Sequence, residues 1–173
     1  DEVAKIADSA KVDALTIHAR TRSQLYRGTV NLDYIKRIRV VSDIFLIGSG
    51  DIKDIEDANK YFDAGCDAVM IGRSSLGNPW IFKKLLCEYN NEEFVEPSVD
   101  EVIEVLLEHA TKLVELIGES RAMVEMRTHS VWYFKHLPNS KQYRLKLVHT
   151  KTLSELIDIC EEYKQSNKKP QVF

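Results

Sequence analysis

Three short apolar segments, each followed by a segment of helical periodicity, limit the fold of this chain more than any other feature. The apolar segments are 12–18 ("VDALTIH"), 44–48 ("IFLIG") and 67–72 ("DAVMIG"). Apolar residues recur at helical spacing in "LDYIKRIRVV", "DIEDANKYFDAG" and "WIFKKLLCEY". Strands that alternate with helices at such short spacing indicate parallel βαβ units in which the strands are buried.

Residues that begin and end helices flank these segments. Asn31 and Asp54 are of the type that caps a helix N-terminus, and Gly65 is placed to end the second helix. Asn78 and Pro79 suit the cap and first-turn positions of the third helix. The sequence therefore predicts the order strand, helix, strand, helix, strand, helix.

The pattern changes to helices alone near Pro97. Ser98 and Glu101 form a capping-box signature at the start of this second region. The region reads as four helices, at about 99–117, 121–137, 141–148 and 153–165. We therefore expect an α/β domain over residues 1–96 and an all-α helical domain over residues 97–173.

Three strands are too few to close an eight-stranded barrel. The first domain is therefore either a small open sheet or the C-terminal three βα units of a TIM (β/α)8 barrel. The chain starts at Asp1, inside a helical pattern, and this start favours the second alternative.

The composition, with 44% apolar and 29% charged residues, is that of an ordinary soluble globular protein. No run approaches the roughly 20 apolar residues of a membrane helix, and no signal peptide is evident. Cys66, Cys87 and Cys160 have no metal-ligand spacing, so no metal site is predicted. Unpaired, semi-buried thiols of this kind fit a reducing cytoplasm.

Charge is distributed unevenly along the chain. The net charge of −3 argues against an overall basic nucleic-acid binder. Between residues 120 and 151, however, seven Lys or Arg residues stand against the single acid Glu125. A local positive surface that follows phosphates, with Arg127, Lys135 and Arg144 among its residues, is therefore favoured over a merely solvated face.

Two glycine turns follow the second and third apolar segments. Their residues are Gly48, Ser49 and Gly50 in the first turn and Gly72 and Arg73 in the second. Ligands of parallel α/β proteins bind at the carboxyl ends of strands, where turn N–H groups suit a phosphate, although such glycines are often only tight turns. His18 ends the first strand, and a structural role and a ligand-binding role are equally open for it.

Three arginines, Arg20, Arg22 and Arg27, crowd the loop after the first strand. Such a run is usually a solvated surface, but above a cofactor crevice it could hold a polyanion. Tyr26, which lies among them, offers an aromatic face for stacking.

Four stretches of the chain together resemble the C-terminal part of the tRNA-dihydrouridine synthases, most closely the bacterial B-type branch. They are "LTIHARTRSQLYRGTVNLDYIKRI", "IGSGDI", "DAVMIGRSSLGNPWIF" and "VEMRTHSVWYFKHLP". The resemblance spans nearly the whole chain and implies an FMN-binding TIM barrel followed by a helical tRNA-binding domain. It also implies reduction of the 5,6 double bond of uridine in tRNA, with NADPH or NADH as the reductant of the flavin.

The resemblance assigns roles to individual residues. His18 matches a histidine that lies against the flavin. The matches to the two phosphate turns are Ser49, Gly50 and Asp51 after the seventh barrel strand and Gly72 and Arg73 after the eighth. The candidates for contact with tRNA are Arg20, Arg22 and Arg127.

Departures from the family pattern limit what the chain can do alone. Ser49 stands where many relatives have Asn, which affects only fine geometry. The catalytic cysteine of the family lies upstream, and the three cysteines here match no such context. We therefore assign no catalytic residue to this chain and expect it alone to be inactive and to bind little FMN.

Other interpretations remain open on the residues alone. One is a different phosphate-binding or FMN-binding TIM-barrel enzyme, such as another FMN oxidoreductase or a sugar-phosphate isomerase. Another is a non-catalytic RNA-binding module. Under any of these interpretations, including the resemblance above, an open half barrel would expose strand edges and an apolar face, which predicts self-association.

Overall fold

A computed structural model describes residues 2–24 and 27–168 of the chain, which divide into two compact units. Residues up to 75 and residues 81–94 form the first, which we call the α/β unit. Residues 76–80 and those from 95 onward form the second, which we call the helical unit.

The α/β unit alternates strands and helices. Its elements are α1 (Glu2–Ser9), β1 (Ala14–His18), α2 (Asp33–Val41), β2 (Phe45–Ser49), α3 (Ile55–Asp63), β3 (Ala68–Met70) and α4 (Ile81–Asn90). The strands form a parallel sheet in the order β1-β2-β3. The predicted strand and helix alternation is confirmed within the described residues.

Local capping signals around α3 are confirmed. The Asp57 N–H donates to the side chain of Asp54 at 2.8 Å. At the other end Gly65 has φ +103°, and the Cys66 N–H donates to the Tyr61 carbonyl at 3.0 Å. This arrangement is the Schellman ending that glycine favours.

The predicted starts of α2 and α4 are wrong by one or two residues. Leu32 occupies the N-cap position of α2, and the Asn31 side chain instead accepts the Asp33 N–H at 2.9 Å. The helix α4 begins at Ile81, after a turn that includes Trp80. Trp80 packs against the core of the helical unit, so the chain becomes helical only after this residue.

The sheet is covered on one face only, which contradicts the prediction of fully buried strands. Leu15, Leu46 and Val69 lie on the covered face, in the apolar cluster that α2 and α3 complete. On the opposite face, Phe45 and Met70 are each 49% exposed. The described helices of this unit supply apolar partners for one side of the strands, and the sequence pattern alone does not show which side has a cover.

The described part of the helical unit contains four helices. They are α5 (Val99–Ile117), α6 (Glu119–Phe134), α7 (Lys141–Leu147) and α8 (Leu153–Lys168). The predicted capping box is confirmed, since Ser98 and Glu101 exchange backbone and side-chain hydrogen bonds at 2.7 and 3.2 Å. Helix α6 ends three residues before the predicted position, because Pro138 and the left-handed Asn139 (φ +52°) follow it.

The core of the helical unit is rich in aromatic and methionine side chains. Met123 and Met126 are fully buried. The ring of Tyr163 lies 5.0 Å from the rings of both Phe134 and Tyr143, in edge-to-face geometry. Within the described residues, no helix is both long and apolar enough to cross a membrane.

Candidate functional site

The carboxyl ends of the three strands lie side by side at one edge of the sheet. His18 is registered opposite Ser49, and Ser49 is registered opposite Met70. The two glycine turns follow β2 and β3 directly, so the turn residues predicted from the sequence and His18 are at this edge. We call it the carboxyl edge.

Gly48 lies inside β2, and its lack of a side chain serves packing. A Cβ atom at this position would overlap the Tyr61 ring and lie 2.8 Å from the Cys66 sulfur. Real Cβ atoms do not approach other atoms so closely, so only glycine lets α3 pack against β2 here. Gly48 therefore belongs to the interior of the unit.

Gly50 and Asp51 form the tight turn after β2. Both have positive φ angles, +130° for Gly50 and +53° for Asp51. A Cβ at position 50 would lie 2.8 Å from Val30, 3.0 Å from the Tyr61 hydroxyl and 3.2 Å from His18 Cε1. Backbone conformation and crowding thus both require glycine at this position.

Tyr61 fixes the turn from beneath. Its hydroxyl donates to the Gly50 carbonyl at 2.7 Å and lies 3.1 Å from the Ser49 carbonyl. The pKa of Tyr61 is raised to about 12, mainly by burial, so the phenol keeps its proton. Sequence reasoning did not identify this residue, whose only signal was its place on the apolar face of α3.

Asp51 connects the two turns and the loop after β1 through ion pairs. Its carboxylate pairs with Arg20 and, at 2.7 Å, with Arg73 Nη2. The pKa of Asp51 is lowered, first by the hydrogen bond from Arg20 and then by the positive charges of Arg20 and Arg73, against an opposing contribution from burial. The carboxylate is therefore ionised near neutral pH.

Arg20 lies within the fold, although the sequence suggested a tRNA contact. Its side chain is 2% exposed, and its Nη2 also donates to the Gly28 carbonyl at 2.9 Å. Its Nε and Nη1 are buried and have no hydrogen-bond partner among the described residues. In this geometry the guanidinium faces Asp51 and the Gly28 carbonyl.

The other loop arginines differ from Arg20. Arg22, in a short 3-10 turn (Arg22–Gln24), and Arg27 are both exposed. Tyr26, the predicted stacking residue, lies outside the described residues. Arg22 and Arg27 are thus the members of the run that face solvent.

Ser49 and Gly72 both lie at the carboxyl edge, but Ser49 is buried and Gly72 is exposed. Ser49 is 7% exposed, and its carbonyl accepts the Ala19 N–H at 3.0 Å, which ties the loop after β1 to β2. Gly72 faces open space, since a Cβ there would meet nothing within 4 Å. An exposed glycine backbone beside an arginine permits close approach of an anionic group.

The predicted basic residues of the helical unit make specific contacts. Arg127 Nε donates to the Thr150 carbonyl at 2.8 Å. Arg144 Nη1 lies 3.2 Å from Ser140 Oγ and 3.4 Å from the Lys135 carbonyl. Arg144 and Lys135 are therefore neighbours, and Arg127 also links α6 to the segment after α7.

Lys135 stands above an aromatic ring. Its ammonium nitrogen lies 4.5 Å from the centre of the Trp132 ring, in cation–π geometry. The excess positive charge of residues 120–151 is partly balanced, because Lys146 pairs with Glu162 of α8. The surface is less positive than the local count suggested.

Comparison with known proteins identifies relatives along almost the whole chain. The sequence model of the family described as Dihydrouridine synthase (Dus) matches residues 1–169. A probable tRNA-dihydrouridine synthase of Aquifex aeolicus (strain VF5) is 34% identical over 169 residues, covering 95% of this chain and 52% of that protein.

Several relatives carry the name tRNA-dihydrouridine synthase B, among them those of two further bacteria. That of Pasteurella multocida (strain Pm70) is 37% identical over 145 residues, which cover 83% of this chain and 44% of the relative. That of Proteus vulgaris is 33% identical over 164 residues, which cover 94% of this chain and 51% of the relative. The chain spans about half the length of these curated relatives. Because the family match extends over residues 1–169, this chain belongs to the dihydrouridine synthase family.

Proposed function

We propose that the chain is the C-terminal part of an FMN-dependent tRNA-dihydrouridine synthase. In this proposal residues 1–96 belong to the FMN-binding TIM barrel, and residues 97–173 form the helical tRNA-binding domain. NADPH or NADH is the reductant, the enzyme works in the cytoplasm, and the product is dihydrouridine in tRNA. The family match over residues 1–169 is the observation that carries the proposal.

The carboxyl edge suits the phosphate end of a flavin mononucleotide. Gly72 leaves its backbone open to approach, and the Arg73 guanidinium lies beside it. Gly50 is held in a positive-φ turn by Tyr61, and His18 is exposed at the end of β1. These are the donor types and the open backbone that a phosphate site needs.

Each residue of the edge has a distinct part in the proposal. FMN, when bound, supplies the two-electron carrier between the nicotinamide and the uracil ring. Gly72 and Arg73 bind its phosphate, and His18 lies against the flavin. The buried turn of Ser49 and Gly50 fixes the distance between them, which matters because a misplacement of about 1 Å can cost a hundredfold in rate.

The cysteines of this chain are not proposed as catalytic acids. All three are buried, and burial raises the pKa of Cys66 to about 11 and that of Cys160 to about 12. A packing role suits such thiols. In the proposal the proton donor to uracil comes from a part of the barrel outside this chain, so the chain alone is inactive.

The helical unit is proposed to bind tRNA through its basic side chains. Arg127, Lys135 and Arg144 contact phosphates, with Arg22 contributing from the loop after β1. Lys135 above Trp132 combines a positive charge with an aromatic face, a combination that suits RNA. Arg20 is left out of this set because its side chain is 2% exposed.

Dihydrouridine formation tests the proposal. A full-length protein that contains this chain is incubated with FMN, unmodified tRNA and either NADPH or NADH, and the nucleosides are analysed by mass spectrometry. We expect a mass gain of one hydrogen molecule at uridine. If neither reductant yields dihydrouridine while the tRNA still binds, a non-catalytic RNA-binding role replaces the proposal.

A further inference from the structure

We infer that Asp51 is a positioning residue, whose carboxylate holds Arg20 and Arg73 at the carboxyl edge and does not itself contact the phosphate. The inference deepens the proposed function and rests on it for the identity of the ligand. It changes the part of Asp51, which the sequence resemblance placed among the cofactor-binding residues.

The charge of Asp51 argues against direct contact with a phosphate. An ionised carboxylate and a phosphate repel each other, and the repulsion is strong where water is partly excluded. The two oxygens of Asp51 are already hydrogen-bonded, one to Arg20 and the other to Arg73. The carboxylate therefore organises positive groups around itself.

Arg20 depends on Asp51 more than a surface arginine would. Its side chain is 2% exposed, and the Gly28 carbonyl is the other acceptor that it reaches among the described residues. Its Nε and Nη1 lack partners within the same part of the chain. A buried guanidinium with so few acceptors loses its compensating charge when Asp51 is neutralised.

Arg73 bonds to the other carboxylate oxygen of Asp51, the one that does not accept from Arg20. Its side chain is 52% exposed, yet its Nη2 reaches Asp51 across a separation of 22 residues. Asp51, Arg20 and Arg73 together carry one net positive charge, and the carboxylate brings the two guanidinium groups together. Such pre-organisation spares the ligand the cost of ordering a flexible arginine.

The test compares two flavins that differ only in the phosphate. Dissociation constants of FMN and riboflavin are measured by flavin fluorescence quenching, with the full-length protein that contains this chain in its wild-type and Asp51→Asn forms. The positioning role predicts that the preference for FMN over riboflavin falls about tenfold in Asp51→Asn, the lower end of the loss measured when outer-shell partners of metal ligands are replaced. A simple repulsion between Asp51 and the phosphate predicts the opposite sign, a rise in this preference.

A second variant guards against a failure to fold. The double variant Arg20→Met/Asp51→Asn removes the buried charge together with its partner, which is far less disruptive than removing one of them. We expect it to keep a wild-type circular dichroism spectrum and still to show the lowered FMN preference, because Arg73 has lost its ion pair with Asp51. Asp57→Asn, which removes a carboxylate paired with Lys60 on α3, serves as the matched control and should leave the preference unchanged.

The outcomes separate the inference from the proposed function. Equal affinity of the wild type for both flavins contradicts the phosphate site and, with it, this inference. If the wild type prefers FMN, and Asp51→Asn or the double variant keeps or increases that preference, only the positioning role is overturned.

Discussion

The two units keep their charged side chains in different places. In the α/β unit, Arg20 lies inside the fold, and Arg39 donates to the Gly65 and Ile44 carbonyls at 2.8 and 3.1 Å. In the helical unit the basic side chains lie near the surface, and the centre is built from rings such as Phe134. The first unit thus combines an apolar cluster with the buried Arg20 and its partner Asp51, whereas the centre of the second unit is apolar.

This difference matters for binding. A buried arginine needs its partners at particular positions, so turns that contain one cannot shift without cost. Such turns suit a small ligand that must be held accurately. Exposed Lys and Arg residues around an apolar core can follow a long polyanion without disturbing the fold.

The substitution with the largest expected effect on stability removes apolar packing in the helical unit. Phe134 is fully buried against Tyr163, so Phe134→Ala should lower the free energy of unfolding of the helical unit by about 3–5 kcal/mol. Both tryptophans, Trp80 and Trp132, belong to this unit, so tryptophan fluorescence during urea unfolding reports on it.

The matched control for Phe134→Ala is Val124→Ala, on the same helix. Val124 is 56% exposed, so its truncation should change the free energy by less than about 0.5 kcal/mol. Equal effects of the two substitutions would contradict the packing of α6 described here.

The next effect tests packing in the α/β unit. Gly48→Ala forces a methyl group against the Tyr61 ring and should destabilise this unit by about 1–3 kcal/mol. Gly72→Ala, with nothing within 4 Å, should change its stability by less than about 0.5 kcal/mol. Hydrogen exchange of β2 amides, measured by mass spectrometry, distinguishes them, and faster exchange in Gly72→Ala than in Gly48→Ala would refute this assignment.

Local sequence signals predicted local structure well. Asp54 and the pair of Ser98 and Glu101 act within one turn of helix, so their roles follow from spacing alone. The helical segments between the apolar segments likewise predicted parallel strands, because antiparallel pairing does not fit βαβ spacing.

Residues whose roles depend on distant partners could not be predicted in the same way. Arg20 resembled a surface arginine until Asp51, 31 positions later, was found to bury it. The packing of Gly48 against Tyr61 was likewise not predicted. Neither contact leaves a trace in composition or periodicity, and the same holds for the uncovered sheet face.

A smaller effect on stability is expected when the pH is lowered. The pKa of His109 is lowered by burial and by His129, whose ring centre is 5.1 Å away. Because the folded-state pKa is depressed, this stabilisation is present above the usual value of 6.5 and is lost as the pH falls through the folded pKa. The carboxylates of Asp51 and Asp67 behave with the same sign, but only below their usual value of 3.8.

The two units should therefore weaken in different pH ranges. We expect urea unfolding monitored by tryptophan fluorescence to show a less stable helical unit at pH 5.5 than at pH 7.5. His109→Gln should remove part of this difference. A helical unit equally stable at both values would show that His109 does not contribute.

The proposal that the helical unit binds the tRNA on which the α/β unit helps to act can be tested by kinetics. Dihydrouridine formation by a full-length protein that contains this chain is compared with that of Arg127→Gln/Lys135→Gln/Arg144→Gln, at limiting and saturating tRNA. Lys112→Gln is the control, because it replaces an exposed lysine of α5 that lies outside residues 120–151. Phosphate contacts by these three residues predict a higher KM for tRNA in the triple variant, with kcat nearly unchanged. A triple variant that matches the wild type at limiting tRNA would contradict the proposal.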